Sequence, residues 1–133
     1  MRFALYPNVK RDPGFVWTDQ LIESIASRGG TAYIPAELAE EYHHPKLKRG
    51  VPPEADFVIS LGGDGTFLSS LSLTGMELVP RVGVNLGSVG FLQEILPADL
   101  DQRIDDLYKG NYRIQLRAMF QADCYDPVDN CYA

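Results

Sequence analysis

Apolar residues along the chain fall into two kinds of spacing, which predict strands and helices in alternation. Short continuous apolar runs are typical of strands that are buried on both faces of a sheet. Such runs occupy residues 2–6, 31–34, 57–61 and 82–85. Because helical crossovers return the chain to the same end of a sheet, this order predicts an α/β fold with a mostly parallel sheet.

Three stretches show the apolar spacing of helices. The first runs from Thr18, a candidate N-cap, to a stop at residues 29–30, where two glycines stand together. The second follows the third apolar run and covers residues 66–73. The third covers residues 98–108 and ends at Gly110.

The remaining segments are less regular. Residues 36–42 are expected to form a short helix, and residues 43–50 an exposed connection. From residue 112 to residue 122 apolar and polar residues alternate, which predicts a long half-buried strand. Half-buried and fully buried strands belong to different layers, so we expect residues 1–110 to form an α/β domain and residues 111–133 to begin a β-type domain.

A glycine-rich turn, Gly-Gly-Asp-Gly-Thr at residues 62–66, follows the third apolar run. Open α/β sheets bind ligands beyond the carboxyl ends of their strands, which is where this turn is expected. Gly62 and Gly63 would let backbone approach a phosphate or ribose and adopt positive φ, while Gly65 and Thr66 would offer N–H groups at a helix start. The structural alternative is an Asp-Gly hairpin turn between two strands.

Asp64 stands in the middle of this turn, where a carboxylate would repel phosphate unless it had a chemical role. It could accept a proton from a sugar hydroxyl as a general base, or hold a divalent cation that neutralises phosphates. The turn is not a Walker loop, since no lysine follows its glycines. These residues alone leave both roles open.

A second turn, after the fourth apolar run, carries Asn85, Gly87 and Gly90. Turns at the carboxyl ends of two neighbouring strands would build two walls of one crevice, and a nucleotide is a natural occupant. Phe91 and Leu92 would then offer an apolar surface to a base. The alternative is that both are core residues.

Composition narrows the function classes. The chain has 133 residues, a length that suits one core, and no apolar stretch approaches a membrane span. Its formal net charge of −6 argues against a sequence-independent nucleic-acid binder, which needs a basic face. The first residues do not resemble a signal peptide, so we expect a cytoplasmic protein with no membrane partner.

Three groups of residues could be taken for metal ligands, and for each we favour another interpretation. Cys124 and Cys131 do not have zinc-ligand spacing and are expected to be reduced thiols. The side chains of His43 and His44 diverge because the residues are adjacent, which favours a solvated loop. The acidic residues of the third helix are expected to form a solvated face: Asp99, Asp101, Asp105 and Asp106.

The two glycine turns together resemble those of NAD kinases, which phosphorylate the adenosine ribose 2′-hydroxyl of NAD to give NADP. The first turn is shared with diacylglycerol, sphingosine and ceramide kinases. The second, Gly-Val-Asn-Leu-Gly-Ser-Val-Gly-Phe-Leu at residues 83–92, separates NAD kinases from them. The resemblance implies a Rossmann-like or phosphofructokinase-like three-layer domain, followed by the first strands of a C-terminal β-sandwich domain. It also implies NAD and either ATP or polyphosphate as substrates, Mg²⁺ or another divalent cation, and a homo-oligomer.

Roles for single residues follow from the resemblance. Asp64 matches the catalytic aspartate that contacts the 2′-hydroxyl and is assigned as proton acceptor. Ser69 stands where many members have a basic or larger polar residue, so no triphosphate contact is assigned to it. The expected NAD- and nucleotide-binding residues, from the turns and the resemblance together, are Gly62, Gly63, Asp64, Gly65, Thr66, Leu68, Asn85, Gly87, Phe91 and Leu92.

The family's downstream Asn-Glu or Asn-Asp motif, which binds the NAD ribose, would come just after Ala133. We therefore expect the full-length protein to be a NAD kinase and these 133 residues alone to be inactive or nearly so. Phosphoryl transfer depends on positioning and electrostatics, which part of a site does not supply. The alternatives are a lipid kinase-like domain and a non-catalytic nucleotide-binding module.

Overall fold

The computed structural model describes residues 1–73, 75–87 and 95–117, and within them one parallel sheet dominates. Its strand order is β3-β2-β1-β4-β5. The strands are β1 (Arg2–Pro7), β2 (Thr31–Ile34), β3 (Leu47–Arg49), β4 (Phe57–Gly62) and β5 (Arg81–Asn85). The helices are α1 (Val16–Ser27), α2 (Asp64–Ser69) and α3 (Leu100–Lys109). The predicted α/β fold with a mostly parallel sheet is confirmed.

The larger core lies between the sheet and the helices α1 and α3. Alternate strand residues face it, including Phe3, Leu5 and Ile59, each fully buried. The helices contribute the apolar positions that their spacing predicts, namely Leu21, Ile22, Ile25, Leu100, Ile104 and Leu107. A smaller cluster of Ala4, Val58 and Met76 covers the opposite face. Each large apolar side chain buried in this way contributes about 1.5–3 kcal/mol.

The order of the strands reverses between β1 and β4. From β1 the chain adds β2 and β3 on one side, then returns to add β4 and β5 on the other. β1 and β4 pair in parallel from Phe3↔Phe57 to Pro7↔Leu61. Such a reversal opens a crevice between the carboxyl ends of the two central strands, where ligands of doubly wound sheets bind.

The start of α1 differs from the sequence prediction. The helix begins at Val16 instead of after Thr18, and Thr18 is fully buried within it. Asp12 supplies the capping instead, because its carboxylate accepts the backbone N–H groups of Trp17 (3.0 Å) and Thr18 (2.9 Å) and the Thr18 hydroxyl (2.7 Å). The predicted stop is confirmed, since α1 ends at Ser27, ahead of residues 29–30.

The segment between β2 and β4 also differs from the prediction. Residues 36–42 form turns instead of a helix, and residues 43–50 contain the edge strand β3, which pairs with β2 at Ala32↔Leu47. The guanidinium of Arg49 explains the turns. It donates hydrogen bonds to the carbonyl oxygens of residues 38, 39 and 42. In a helix over residues 36–42, the carbonyl of residue 38 would instead accept an internal hydrogen bond.

Residues 112–117 do not form the predicted strand; they are exposed and irregular, while residues 118–122 lie outside the described residues. A half-buried strand needs a neighbour for its backbone, and no described strand pairs with this segment. Tyr112 instead packs edge-on against Phe57, with ring centroids 5.4 Å apart. The proposed division into domains at residue 110 stays a prediction.

The acidic residues of α3 are less solvated than expected. Asp101 and Asp105 pair with Arg28, which directly follows α1, at 2.9 and 3.5 Å. Asp106 is only 9 % exposed and accepts a hydrogen bond from Arg103 at 2.7 Å. The predicted solvated face is confirmed for Asp99 and Asp101, which are exposed, and is wrong for Asp106, which is buried.

No helix in the described part of the chain has the length and apolar character needed to cross a bilayer. Cys124 and Cys131 lie outside the described residues.

Candidate functional site

The turn at residues 62–66 lies at the carboxyl end of β4, beside the crevice between β1 and β4. Every residue of β4 is buried, and the strand leads directly into α2 through Gly63. β4 pairs in parallel with both of its neighbours, so the hairpin alternative is wrong. The turn therefore has the strand-to-helix geometry that the sequence predicted.

The positive φ predicted for Gly62 and Gly63 is wrong, and packing accounts for the glycine at residue 62. Gly62, Gly63 and Gly65 all have negative φ, so positive φ does not explain them. A Cβ on Gly62 would lie 2.4 Å from the Oγ1 of Thr66 and 3.1 Å from the Cβ of Asn8. Close packing requires glycine at residue 62, whereas residues 63 and 65 have no atom within 4 Å of an added Cβ. Backbone at those two positions is thus left uncovered.

Asp64 is the first residue of α2 and is half-buried. The N–H groups of Gly65 and Thr66 belong to the same first turn, where a helix provides no internal acceptor. α2 is short, six residues, and continues as a 3₁₀ turn over Ser70–Ser72. Leu68, four residues after Asp64 on the same helix, is 54 % exposed. Its apolar side chain is therefore accessible to a ligand.

The second turn lies directly beside the first. β5 is the neighbour of β4, and Asn85 is the register partner of Gly62. The N–H of Leu86 donates to the carbonyl of Gly62 at 3.0 Å, and the N–H of Gly87 donates to the Oδ1 of Asn85 at 2.9 Å. The two turns are therefore in contact, as predicted, at residues 62–66 and 85–87. Phe91 and Leu92 lie outside the described residues.

A cleft of about 660 Å³ opens on the other side of the first turn. The turn and α2 contribute Gly63, Gly65, Thr66 and Ser69 to its lining. The facing walls come from the end of β1 and the loop after it, and from the loop after β2, with Tyr6, Pro7, Asn8, Val9, Arg11 and residues 37–41. Sequence reasoning missed these residues. The sequence does indicate where β1 and β2 end, and the cleft residues follow those ends. Only the order of the strands in the sheet shows that these loops lie opposite the turn.

Arg49 holds the far wall of the cleft in place. Its guanidinium donates to the carbonyls of Leu38 and Ala39, each at 2.7 Å, and to that of Tyr42. Ala39 has a φ of +49°, a left-handed conformation that a residue other than glycine adopts at a cost. The three hydrogen bonds to Arg49 offset that cost and fix the loop.

Tyr42 anchors the same wall to α1. Its ring packs on Phe15 with centroids 4.4 Å apart, and its hydroxyl donates a hydrogen bond to Asp19. Burial, followed by this hydrogen bond, raises the pKa of Tyr42 above its usual range. The tyrosine therefore stays protonated and keeps its donor role across the physiological range.

Charges in the cleft are mixed. Glu37, Glu40 and Glu41 line one wall, and Arg11 lines the other. Among the described residues no group of three or more His, Cys, Asp or Glu side chains is placed to hold a metal ion. His44 is engaged otherwise, since its Nε2 lies 3.2 Å from Glu23 and its Nδ1 accepts the N–H of Lys46 at 3.0 Å.

Comparison with known sequences relates this chain to NAD kinases. The family model of the ATP-NAD kinase N-terminal domain matches residues 16–112. The NAD kinase of Ruminiclostridium cellulolyticum is 30 % identical over 127 residues, and that of Geotalea daltonii is 33 % identical over 127 residues. Each alignment covers 93 % of this chain and 44 % of the relative. The NAD kinase of Bacteroides fragilis is 38 % identical over 73 residues, which is 55 % of this chain and 25 % of the relative.

The fold is also similar to a solved structure. Yeast NADH kinase, solved as a complex with NADH, superposes with a TM-score of 0.66 at 16 % identity. The match covers 82 % of this chain and 38 % of the yeast chain. At that identity the likeness establishes the fold. This chain spans less than half the length of the first two curated relatives.

Proposed function

The chain belongs to the NAD kinase family, and from that premise we propose that the full-length protein phosphorylates the adenosine ribose 2′-hydroxyl of NAD, with ATP or polyphosphate as donor. One observation supports this most strongly. The turns at residues 62–66 and 85–87, which carry the family resemblance, adjoin through the Gly62↔Asn85 register and the hydrogen bond from Leu86 to Gly62. A nucleotide at this edge of the sheet would contact both turns.

Asp64 is the proposed general base. The 2′-hydroxyl attacks the terminal phosphorus of the donor, and the carboxylate of Asp64 accepts the hydroxyl proton as the new P–O bond forms and the bond to the leaving phosphate oxygen breaks. The location of Asp64, half-buried on the first residue of α2, suits this role. Such a position limits its movement while leaving one side open to substrate.

The other proposed contacts divide between the two turns. Uncovered backbone at Gly63 and Gly65 allows a ribose or phosphate to approach, and the exposed side chain of Leu68 offers apolar contact. Asn85 and Gly87 close the site on the β5 side. The roles of Phe91 and Leu92 at a base, the homo-oligomer and the cytoplasmic location stay predictions from the resemblance.

A divalent cation is part of the family's chemistry, where it neutralises phosphate charge. Mg²⁺ in such enzymes is held by one or two carboxylates together with substrate phosphates. Among the described residues Asp64 would be the carboxylate for such a site, and no group of three or more His, Cys, Asp or Glu side chains is placed to hold an ion without substrate.

The test is NADP formation by the full-length protein, with NAD, ATP and Mg²⁺. Replacing Asp64→Asn preserves size while removing the base, so kcat should fall by about 100-fold or more with little change in KM for NAD. Asp56→Asn is the matched control, because Asp56 precedes β4 at its opposite end and accepts the N–H of Arg2 at 2.7 Å. That variant should keep wild-type activity.

Two outcomes would contradict the proposal in different ways. Full activity in Asp64→Asn would remove Asp64 from the reaction and leave the kinase assignment standing. Absence of NADP formation by wild-type protein that still binds NAD would leave a nucleotide-binding module.

A further inference from the structure

Asn8 follows β1 directly and faces the first turn across the crevice, yet no role described above uses it. We propose that Asn8 is a positioning residue, which fixes the turn at residues 62–66 through Thr66 and so holds Asp64 in place for phosphoryl transfer. The inference rests on the proposed function, since it concerns the same site.

The orientation of the Asn8 side chain is set by its own hydrogen bonds. Its Oδ1 accepts the backbone N–H of Lys10 at 3.1 Å, and its backbone N–H donates to the carbonyl of Leu61 at 2.8 Å. Its Nδ2 donates to the Oγ1 of Thr66 at 3.1 Å, and its backbone carbonyl accepts the N–H of Arg11 at 3.0 Å. Asn8 therefore links the end of β1 to both the end of β4 and the first turn of α2.

Packing confines Thr66 between Asn8 and Gly62. Thr66 is 8 % exposed. Its Oγ1 occupies space that a Cβ on Gly62 would fill, at 2.4 Å, and Asn8 lies against the same point. Thr66 and Asp64 share the first turn of α2, so a shift of Thr66 moves the carboxylate as well.

The turn is thus held from two sides. On the β5 side, Leu86 binds the Gly62 carbonyl and fixes the end of the strand. On the β1 side, Asn8 fixes the start of the helix. A general base must lie within hydrogen-bond reach of its hydroxyl, so loss of the second support should lower the rate more than substrate affinity.

The experiment is a double-mutant cycle in the full-length protein, with kcat and KM for NAD measured for wild type, Asn8→Ala, Thr66→Val and the double variant. Each single change should lower kcat about tenfold, because a small misplacement of a catalytic group is costly. The double variant should lose no more than the worse single variant, since both remove one interaction. KM for NAD should change by less than about twofold.

Asn111→Ala is the control, as Asn111 follows α3 and precedes Tyr112, which packs on Phe57 at the amino end of β4. Asn111 donates only to Asp106 among its described partners. Its kcat should equal that of wild type. Asn8→Ser, whose hydroxyl is too short to reach Thr66, replaces Asn8→Ala in the cycle if thermal unfolding finds the alanine variant unfolded at the assay temperature.

Unchanged kcat in Asn8→Ala, a rise in KM without a fall in kcat, or losses that multiply in the double variant would each overturn the inference. Wild-type protein that forms no NADP would instead refute the proposed function, and this inference with it. The two failures are therefore distinguished by the wild-type measurement.

Discussion

Gly62 occupies the most crowded backbone position of the candidate site. An added Cβ would lie 2.4 Å from the Oγ1 of Thr66 and 2.8 Å from its Cβ. Gly62→Ala must therefore displace Thr66 or bend the end of β4. We expect it to destabilise the protein by about 1–3 kcal/mol, the usual cost of an overpacked position, as measured by urea unfolding.

Gly63→Ala is the matched control for that prediction. Residue 63 is adjacent, has a φ of −104° that any residue adopts, and has no atom within 4 Å of an added Cβ. Because residue 63 is the N-cap of α2, where alanine is less favourable than glycine, Gly63→Ala should lower the free energy of unfolding by at most about 1 kcal/mol, less than Gly62→Ala. Equal destabilisation by the two variants would show that the turn, and not the close approach at residue 62, is sensitive to side chains.

Single residues show where sequence reasoning works and where it stops. The run from residue 57 predicted that a strand would deliver Asp64 to the carboxyl edge of the sheet, because local composition decides that. The same reasoning misjudged why Gly62 is glycine, because it did not foresee that Thr66 folds back against that residue. It missed Asn8 because the contact of Asn8 with Thr66 depends on β1 lying beside β4. Nothing in the sequence next to Asn8 indicates that contact.

At the scale of elements, α1 and α3 are joined through Arg28. Its guanidinium lies 2.9 Å from Asp101 and 3.5 Å from Asp105, and the hydroxyl of Ser24 donates to Asp101 at 2.5 Å. The hydrogen bond from Arg28, followed by that from Ser24, lowers the pKa of Asp101 to about 2. These ion pairs therefore join this face of α3 to the end of α1.

This pair gives the protein a pH-dependent contribution to stability. Because the pKa of Asp101 is lower in the folded state than in the unfolded chain, its contribution is present above about pH 4 and is lost as the pH falls toward 2. The side chain of Asp101 is 75 % exposed, so solvent screens the pair. Asp101→Asn should cost less than about 1 kcal/mol at pH 7.

Urea unfolding at pH 7, 5 and 3 checks this expectation. The difference between wild type and Asp101→Asn should shrink as the pH falls below 4. Glu54→Gln, which changes an exposed carboxylate in the loop before β4, serves as control. A difference for Asp101→Asn that stays constant with pH would contradict the ion-pair account.

Elements with a strong local pattern were predicted well, and elements that depend on distant partners were not. α3 follows directly from Leu100, Ile104 and Leu107 with Gly110 as its end, because an amphipathic stripe and a cap are local features. Residues 36–42 form turns because Arg49, from the next strand, binds their carbonyls. The alternating pattern after residue 111 predicted a strand, but no described strand pairs with it.

At the scale of the whole molecule, the sheet order creates the site. Parallel strands were predictable from helical crossovers, but the reversal between β1 and β4 was not, because it depends on which edge of the sheet the returning chain joins. That reversal brings the loops after β1 and β2 opposite the first turn and forms the cleft of about 660 Å³.

The last prediction concerns what this chain does by itself. It spans 44 % of the length of the first curated relatives, and its described part supplies Asp64 and the two turns but no cluster for a cation. Phosphoryl transfer requires donor and acceptor to be held together, which is worth several orders of magnitude in rate. Because this positioning is incomplete, we expect the 133-residue chain to form NADP at least about 100-fold more slowly than the full-length protein. A coupled NADP assay at equal molar concentrations measures the difference, and calorimetric titration with NAD reports binding by each protein. Equal rates would mean that these 133 residues hold both substrates in reactive geometry without further sequence.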